Sequence, residues 1–278
     1  MKQFFLMLGF FTRLPVPKTE FTEEGYRKAM KLMPLVGLVI GAVLALVSLL
    51  LYVLQAAAPV HAAVLTCAYI ILTGGLHFDG LADTCDGVFS GRTREQSLEI
   101  MKDSRIGVFG LLGILMAGLL YFALFTDMPL TALLVFPLCG RACCLISASL
   151  APYAREDGMG KATAANSGSE VMAVAILSLV GASFLMIPFA LIPFIAYFLG
   201  HAGRFALLSA GFPKQAIMLA PACSLIAAGA AILVTVLMTA RIRKKLGGVT
   251  GDTFGAVIEV SGIVYLLVFT ILYQVLPV

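Results

Sequence analysis

The sequence predicts an all-α fold, a polytopic transmembrane helix bundle. Three observations carry that expectation: 60% of the 278 residues are hydrophobic and only 12% are charged, the mean hydropathy is +1.01, and apolar runs near bilayer-crossing length recur along the chain. No strand-like alternation accompanies these runs, and lipid offers the backbone no hydrogen-bond partner, so the spans are expected as helices. About seven spans, within a range of six to eight, make one integral-membrane domain over residues 1–278.

Residues 1–33 read as a cytoplasmic or interfacial N-terminal segment. The short apolar run after Lys2 ends at Thr12-Arg13 with no small-x-small cleavage site, which argues against a signal peptide. Arg27, Lys28 and Lys31 precede the first span and place this end in the cytoplasm. That span is expected from Pro34 to Ala57, with Gly37 and Gly41 at GxxxG spacing for a close helix contact. A second, short span from Val60 to Thr73 ends in Gly74-Gly75 and delivers residues 74–105 back to the cytoplasmic interface. Ile106–Thr126 and Met128–Leu150 follow, the latter carrying Pro137 and Arg141; an arginine within a span needs a partner or an aqueous cavity. Val171–Gly200 is too long for one straight crossing and is broken by Pro188 and Pro193. Read as one long kinked span, it lets Gln215–Ala240 end inside at the basic run 241–245, and Ala256–Val278 completes the bundle. His201, Arg204 and Lys214 fall in the interval where the count is ambiguous. The six cysteines lie mostly in apolar segments and imply neither a disulfide framework nor a zinc site.

The chemistry is expected in residues 74–105, an acidic loop or helix. Asp79, Asp83 and Asp86 are spaced four and three residues apart, on one helical face within roughly 60° of arc. Like charges so placed destabilise a bare helix, which makes sense when a cation sits among them; the bland alternative is a solvated polar turn. Oxygen donors without a cysteine or histidine pair point to Mg²⁺, with Mn²⁺ as a second possibility. By the span count, the Arg105 region, the Arg155 loop and Gly251-Asp252 all share the cytoplasmic rim with this stretch. Carboxylate-held metal beside arginines suits phosphoryl transfer, and no P-loop is present to hold nucleotide. Ionisable groups at the rim rather than on broken helices at mid-membrane argue against a secondary transporter. Asp83-Thr84-Cys85-Asp86-Gly87 reproduces the first element of the CDP-alcohol phosphotransferase pattern and leaves a lipid-synthesis enzyme as the alternative.

GGLHFDGLADTCDG at 74–87, MKDSRIGVFG at 101–110, APYAREDGMG at 151–160 and GGVTGDTFGA at 247–256 together resemble the cobalamin synthase family, adenosylcobinamide-GDP ribazoletransferase. FFTRLPVP near the N-terminus and PLVGLVIG at 34–41 also match, so the likeness spans essentially the whole chain. The resemblance implies a magnesium-dependent inner-membrane enzyme that joins adenosylcobinamide-GDP to α-ribazole or its 5′-phosphate and releases GMP, with no nucleic-acid partner. On that basis Asp79, Asp83 and Asp86 are the expected metal face. His77 is a general base or a hydrogen-bond partner of a carboxylate, and Asp103 a catalytic acid in the motif with Lys102 and Arg105. Lys102, Arg105, Arg141 and Arg155 are expected phosphate or ribose contacts, with the positive-inside bias as the competing explanation of Arg155. Asp252 is a metal or nucleotide ligand, or an acid favoured by a helix N-terminus. The family commonly carries a second acid three residues beyond Glu259, where this chain has Gly262.

Overall fold

The computed structural model describes every residue except Phe21, Asp127, Met159, Asn166, Ser167, 199–213 and 276–278; for residues 165, 187–198 and 214–218 it describes the backbone alone. Its helices are α1 (Lys2–Phe11), α2 (Glu23–Ala29), α3 (Met33–Val53), α4 (Ala58–Thr73), α5 (Leu76–Phe89), α6 (Arg94–Ile100) and α7 (Val108–Phe125). They continue with α8 (Leu130–Leu150), α9 (Gly160–Ala165), α10 (Ser169–Phe198), α11 (Lys214–Leu246) and α12 (Gly251–Val275). Six helical stretches are long and apolar enough to cross a membrane, and the bent pair α4–α5 is a seventh if counted as one span. The polytopic all-α bundle of about seven spans expected from composition is the architecture observed.

Helix α8 is the hub, buried along nearly its whole length. Helix α3 lies directly against it because Gly37 and Gly41 have no side chains. A Cβ on Gly37 would stand 2.5 Å from the Pro137 carbonyl oxygen, and one on Gly41 would collide with the Leu134 carbonyl. The GxxxG spacing thus serves backbone approach. Outward faces of α3, α7, α10 and α11 carry exposed Leu46, Leu115, Leu119, Leu177, Leu233 and Leu237, the apolar coat a bilayer solvates.

Several boundaries differ from expectation, each for a local reason. Helix α2 runs through one 3₁₀ turn, Met30–Leu32, into α3, so Glu23–Val53 is a continuous 31-residue rod and the basic residues before the first span are its opening turns. Helix α11 continues through the basic run to Leu246. The interval of ambiguous count is a single helix as far as Phe198; His201 and Arg204 lie outside the described residues, and Lys214 opens α11. The last helix starts at Gly251, five residues before the expected Ala256. Thr250 and Thr253 cap it reciprocally: Thr253 N–H donates to Thr250 Oγ1 at 3.3 Å, and Thr250 N–H to Thr253 Oγ1 at 2.8 Å.

The turn that positions the site is Gly74-Gly75. Both adopt left-handed backbone (φ +63° and +71°), and their N–H groups close on Ile71 and Ile70 carbonyls at 3.0 and 2.9 Å. Two consecutive residues in that region are inexpensive only for glycine. The chain turns by 88°, so α5 leaves the direction of α4. The carboxylates of α5 are thereby carried sideways over the neighbouring helices.

Candidate active site

Helix α5 packs on the first turn of α12 through two more glycines. A Cβ on Gly80 would sit 2.7 Å from the Asp252 carbonyl oxygen, and one on Gly255 would sit 3.1 Å from that of His77. This contact brings Asp252 beside Asp79 and Asp83, and the three carboxylates interact electrostatically with one another and with Arg155. Arg155 comes from the 151–158 loop, which is fastened to the strand-like stretch before α12. Ala154 N–H donates to the Val249 carbonyl, and Val249 N–H to that of Pro152, both at 2.8 Å. Gly248 permits the approach, since a Cβ there would collide with the Pro152 carbonyl. Arg155 Nη2 then reaches Asp252 Oδ2 at 2.8 Å and the Met101 carbonyl at 3.4 Å, while its buried Nε has no partner among the described residues.

Asp79 is exposed and Asp83 half-buried; neither side chain has a hydrogen-bond partner among the described residues. Asp86 is differently employed. Its Oδ2 accepts from Gly107 N–H at 2.7 Å and its Oδ1 from Gly110 N–H at 2.9 Å, capping the start of α7. The face expected as Asp79, Asp83 and Asp86 is therefore composed in space of Asp79, Asp83 and Asp252, with Asp86 one turn away at the α7 terminus. Among the described residues no three His, Cys, Asp or Glu side chains converge tightly enough to cage an ion by themselves.

The 101–107 loop lies along the same rim, tied by Arg155 at Met101 and by Asp86 at Gly107. Within it Asp103 and Arg105 form a forked pair, Nη2 to Oδ2 at 2.7 Å and Nε to Oδ1 at 3.1 Å, and Lys102 is exposed. Hydrogen bonding from Arg105 holds the Asp103 carboxyl at about 2, so it is a carboxylate throughout the neutral range. Arg105, at 87% exposure, is free to swing toward a ligand.

His77 and Arg141 lie below this surface. His77 is 2% exposed and stacks on Phe11 with ring centroids 5.7 Å apart; its Nδ1 is 3.6 Å from Glu259 Oε1, and neither ring nitrogen has a hydrogen bond. Glu259 is fully buried and accepts from Tyr69 at 3.0 Å and Tyr121 at 2.7 Å. Arg141, also fully buried, donates Nη1 to the Pro137 carbonyl at 3.1 Å and interacts electrostatically with Glu259, Tyr69 and His77. The arginine expected at phosphate thus stands with the core acid rather than with the rim carboxylates. Between α1, α5 and α12 a pocket is walled by Phe10, Phe11, Tyr26, Phe254, Ile258 and His77, with Asp79 and Asp252 at its polar end.

The family model for cobalamin-5-phosphate synthase matches residues 3–270. The chain belongs to this family. Among relatives named adenosylcobinamide-GDP ribazoletransferase, one from Fusobacterium nucleatum is 35% identical, with 98% of each chain covered. Another from Alkaliphilus oremlandii is 37% identical over 96% of each, and one from Escherichia coli K12 is 34% identical over 96% of this chain and 98% of its own. No solved structure matches. Gly262, where this family member departs from the expected acid, faces Tyr121: a Cβ there would lie 3.3 Å from the hydroxyl that holds Glu259. A second carboxylate at 262 would crowd that bond.

Some structural contributors carry no motif of their own. Arg94 clamps the site's supports, donating Nε to the Leu246 carbonyl at 2.8 Å and Nη2 to that of Ala154 at 3.0 Å. Sequence assigns it only to the inside bias of basic residues. Tyr69, Tyr121 and Phe11 are ordinary apolar-span residues by pattern, and only the contact with Glu259 and His77 distinguishes them.

Proposed function

We propose that this chain joins adenosylcobinamide-GDP to α-ribazole or its 5′-phosphate, releasing GMP and giving adenosylcobalamin or its phosphate, the late nucleotide-loop step of cobalamin assembly. The observation that carries the reading is the rim cluster of Asp79, Asp83 and Asp252 with a single arginine, Arg155, on a membrane-embedded frame. The near-full-length relatives named for this transfer support the choice of substrates. Basic residues of α6, the 151–158 loop and the end of α11 gather at the same end, which supports a cytoplasmic face on the inner membrane.

The donor set fits Mg²⁺. Three carboxylates against one guanidinium leave a formal charge of −2 there, and magnesium typically takes one or two carboxylates, several waters and substrate phosphates. Asp83 would hold it together with Asp79 or Asp252. Mg²⁺ bound there would neutralise the pyrophosphate oxygens and the departing GMP. Arg155, with its Nε unpartnered, would take a phosphate oxygen, and exposed Arg105 and Lys102 would add charge at the rim. In the transfer the ribazole hydroxyl forms a P–O bond to the phosphorus on the cobinamide side. The P–O bond to GMP breaks, and the hydroxyl proton passes to a carboxylate of the cluster or to water. Positioning and charge supply most of the acceleration.

Purified protein in lipid nanodiscs tests the reading. GMP and adenosylcobalamin should appear in equal amounts only when both substrates are present, should stop on chelation and should resume with Mg²⁺. CMP release from CDP-diacylglycerol with a lipid product, or corrinoid uptake into sealed vesicles with no GMP, would overturn it.

A further inference from the structure

The pocket between α1, α5 and α12 is unlike the rest of the site. Tyr26, Phe10, Phe11 and His77 make a continuous run of ring contacts, with centroids 5.3 Å, 4.9 Å and 5.7 Å apart in turn, and Phe254 closes the α12 side. Buried in this aromatic wall, His77 has both ring nitrogens without a hydrogen bond, although imidazole always carries at least one donor. An unmade hydrogen bond on a buried polar group is costly, and a ligand atom is a ready partner for it. At the polar end stand Asp79 and Asp252, two of the three rim carboxylates.

Resting on the function proposed above, we infer that this pocket holds the planar aromatic base of the ribazole acceptor, with His77 hydrogen-bonding its unsubstituted ring nitrogen. An alkylated benzimidazole offers flat apolar faces and a single acceptor nitrogen, which match stacked rings and one imidazole. Guanine, the other aromatic group among the substrates, carries several donors and acceptors that this wall would leave unpaired. With the base seated against Phe11 and His77, its ribose emerges beside Asp79 and Asp252, so the attacking hydroxyl meets the pyrophosphate at the carboxylates. His77 is then a positioning residue for the acceptor and does not take the proton.

The test uses the full chain in nanodiscs with labelled α-ribazole. Free 5,6-dimethylbenzimidazole should displace the label from the wild-type protein and compete with α-ribazole, but not with adenosylcobinamide-GDP, in turnover; GMP should leave the label bound. His77→Phe should raise KM for α-ribazole roughly tenfold while KM for adenosylcobinamide-GDP holds, and His77→Gln should recover most of the loss. Displacement of the label by GMP, no displacement by the free base, or a fall in kcat with KM for α-ribazole unchanged in both variants would overturn the assignment. Because label displacement is read without turnover, it separates the two claims. Base-sensitive binding with no GMP release would sink the transferase reading alone, and GMP release with base-insensitive binding would sink the pocket alone.

Discussion

Replacing Gly80 by alanine tests whether the α5–α12 contact sets the geometry of the site. The added Cβ would lie 2.7 Å from the Asp252 carbonyl oxygen and 3.1 Å from its Cα. Those atoms are backbone, so no side chain can swing aside. Restoring ordinary contact at about 3.4 Å requires the two helices to part by about 0.7 Å at the residue that carries Asp252. The stability change is small, because overpacking of about 1–3 kcal/mol is partly offset by about 1 kcal/mol of helix propensity gained over glycine. The catalytic change is large, since a displacement near 1 Å between groups that act together costs about a hundredfold in rate. GMP release by Gly80→Ala protein should therefore fall roughly thirty- to hundredfold, with an elution profile and melting temperature close to wild type. Gly118→Ala on α7, where a Cβ meets nothing within 4 Å, is the control and should keep full activity. Turnover by Gly80→Ala within threefold of wild type would refute the reasoning.

Other expectations follow from the same contacts. Arg155→Lys keeps the charge but loses the reach to Asp252 and Met101, and kcat/KM for adenosylcobinamide-GDP should drop about tenfold or more; an unchanged value would remove Arg155 from phosphate binding. Asp86→Ala leaves the Gly107 and Gly110 N–H groups uncapped, and should lower the melting temperature by about 5 °C, from roughly 2 kcal/mol. The half-saturating Mg²⁺ concentration should hold in that variant, and a large shift would return Asp86 to the metal. Asp103 has its folded value depressed to about 2, so its pairing with Arg105 is intact above pH 4 and is lost only as pH falls through about 2. Asp103→Asn should thus leave both limbs of the pH–rate profile between pH 6 and 9 in place, and the disappearance of a limb would identify it as the titrating group.

The helical spans were legible because lipid leaves the backbone one solution, and Gly37 and Gly41 announced their close contact by spacing. The acidic stretch also declared itself, as did the approach of the 101–110, 151–160 and 247–256 segments to one rim. What was not legible depends on contacts distant in sequence. Asp86 shares the helical period of Asp79 and Asp83, and only the docking of α7 turns its oxygens to backbone N–H groups. Asp252 reads equally as loop or helix until the Thr250–Thr253 cap places it in the first turn of α12. His77 is adjacent in sequence to the carboxylates but sits on the opposite side of α5, against Phe11, because two residues along a helix point nearly apart. Arg141 carries no signal of depth in its neighbours, and its place beside Glu259 follows from the packing of α8 at the centre.

The central claim is that the rim carboxylates around Asp83 carry Mg²⁺-assisted phosphoryl transfer. Its most direct measurement is GMP release from adenosylcobinamide-GDP and α-ribazole by nanodisc-held Asp83→Asn protein, beside wild type, at saturating Mg²⁺. The account predicts loss of at least a thousandfold in rate, on the order of 4 kcal/mol in the barrier, with insertion and melting temperature retained. Wild-type turnover by folded Asp83→Asn protein would contradict it.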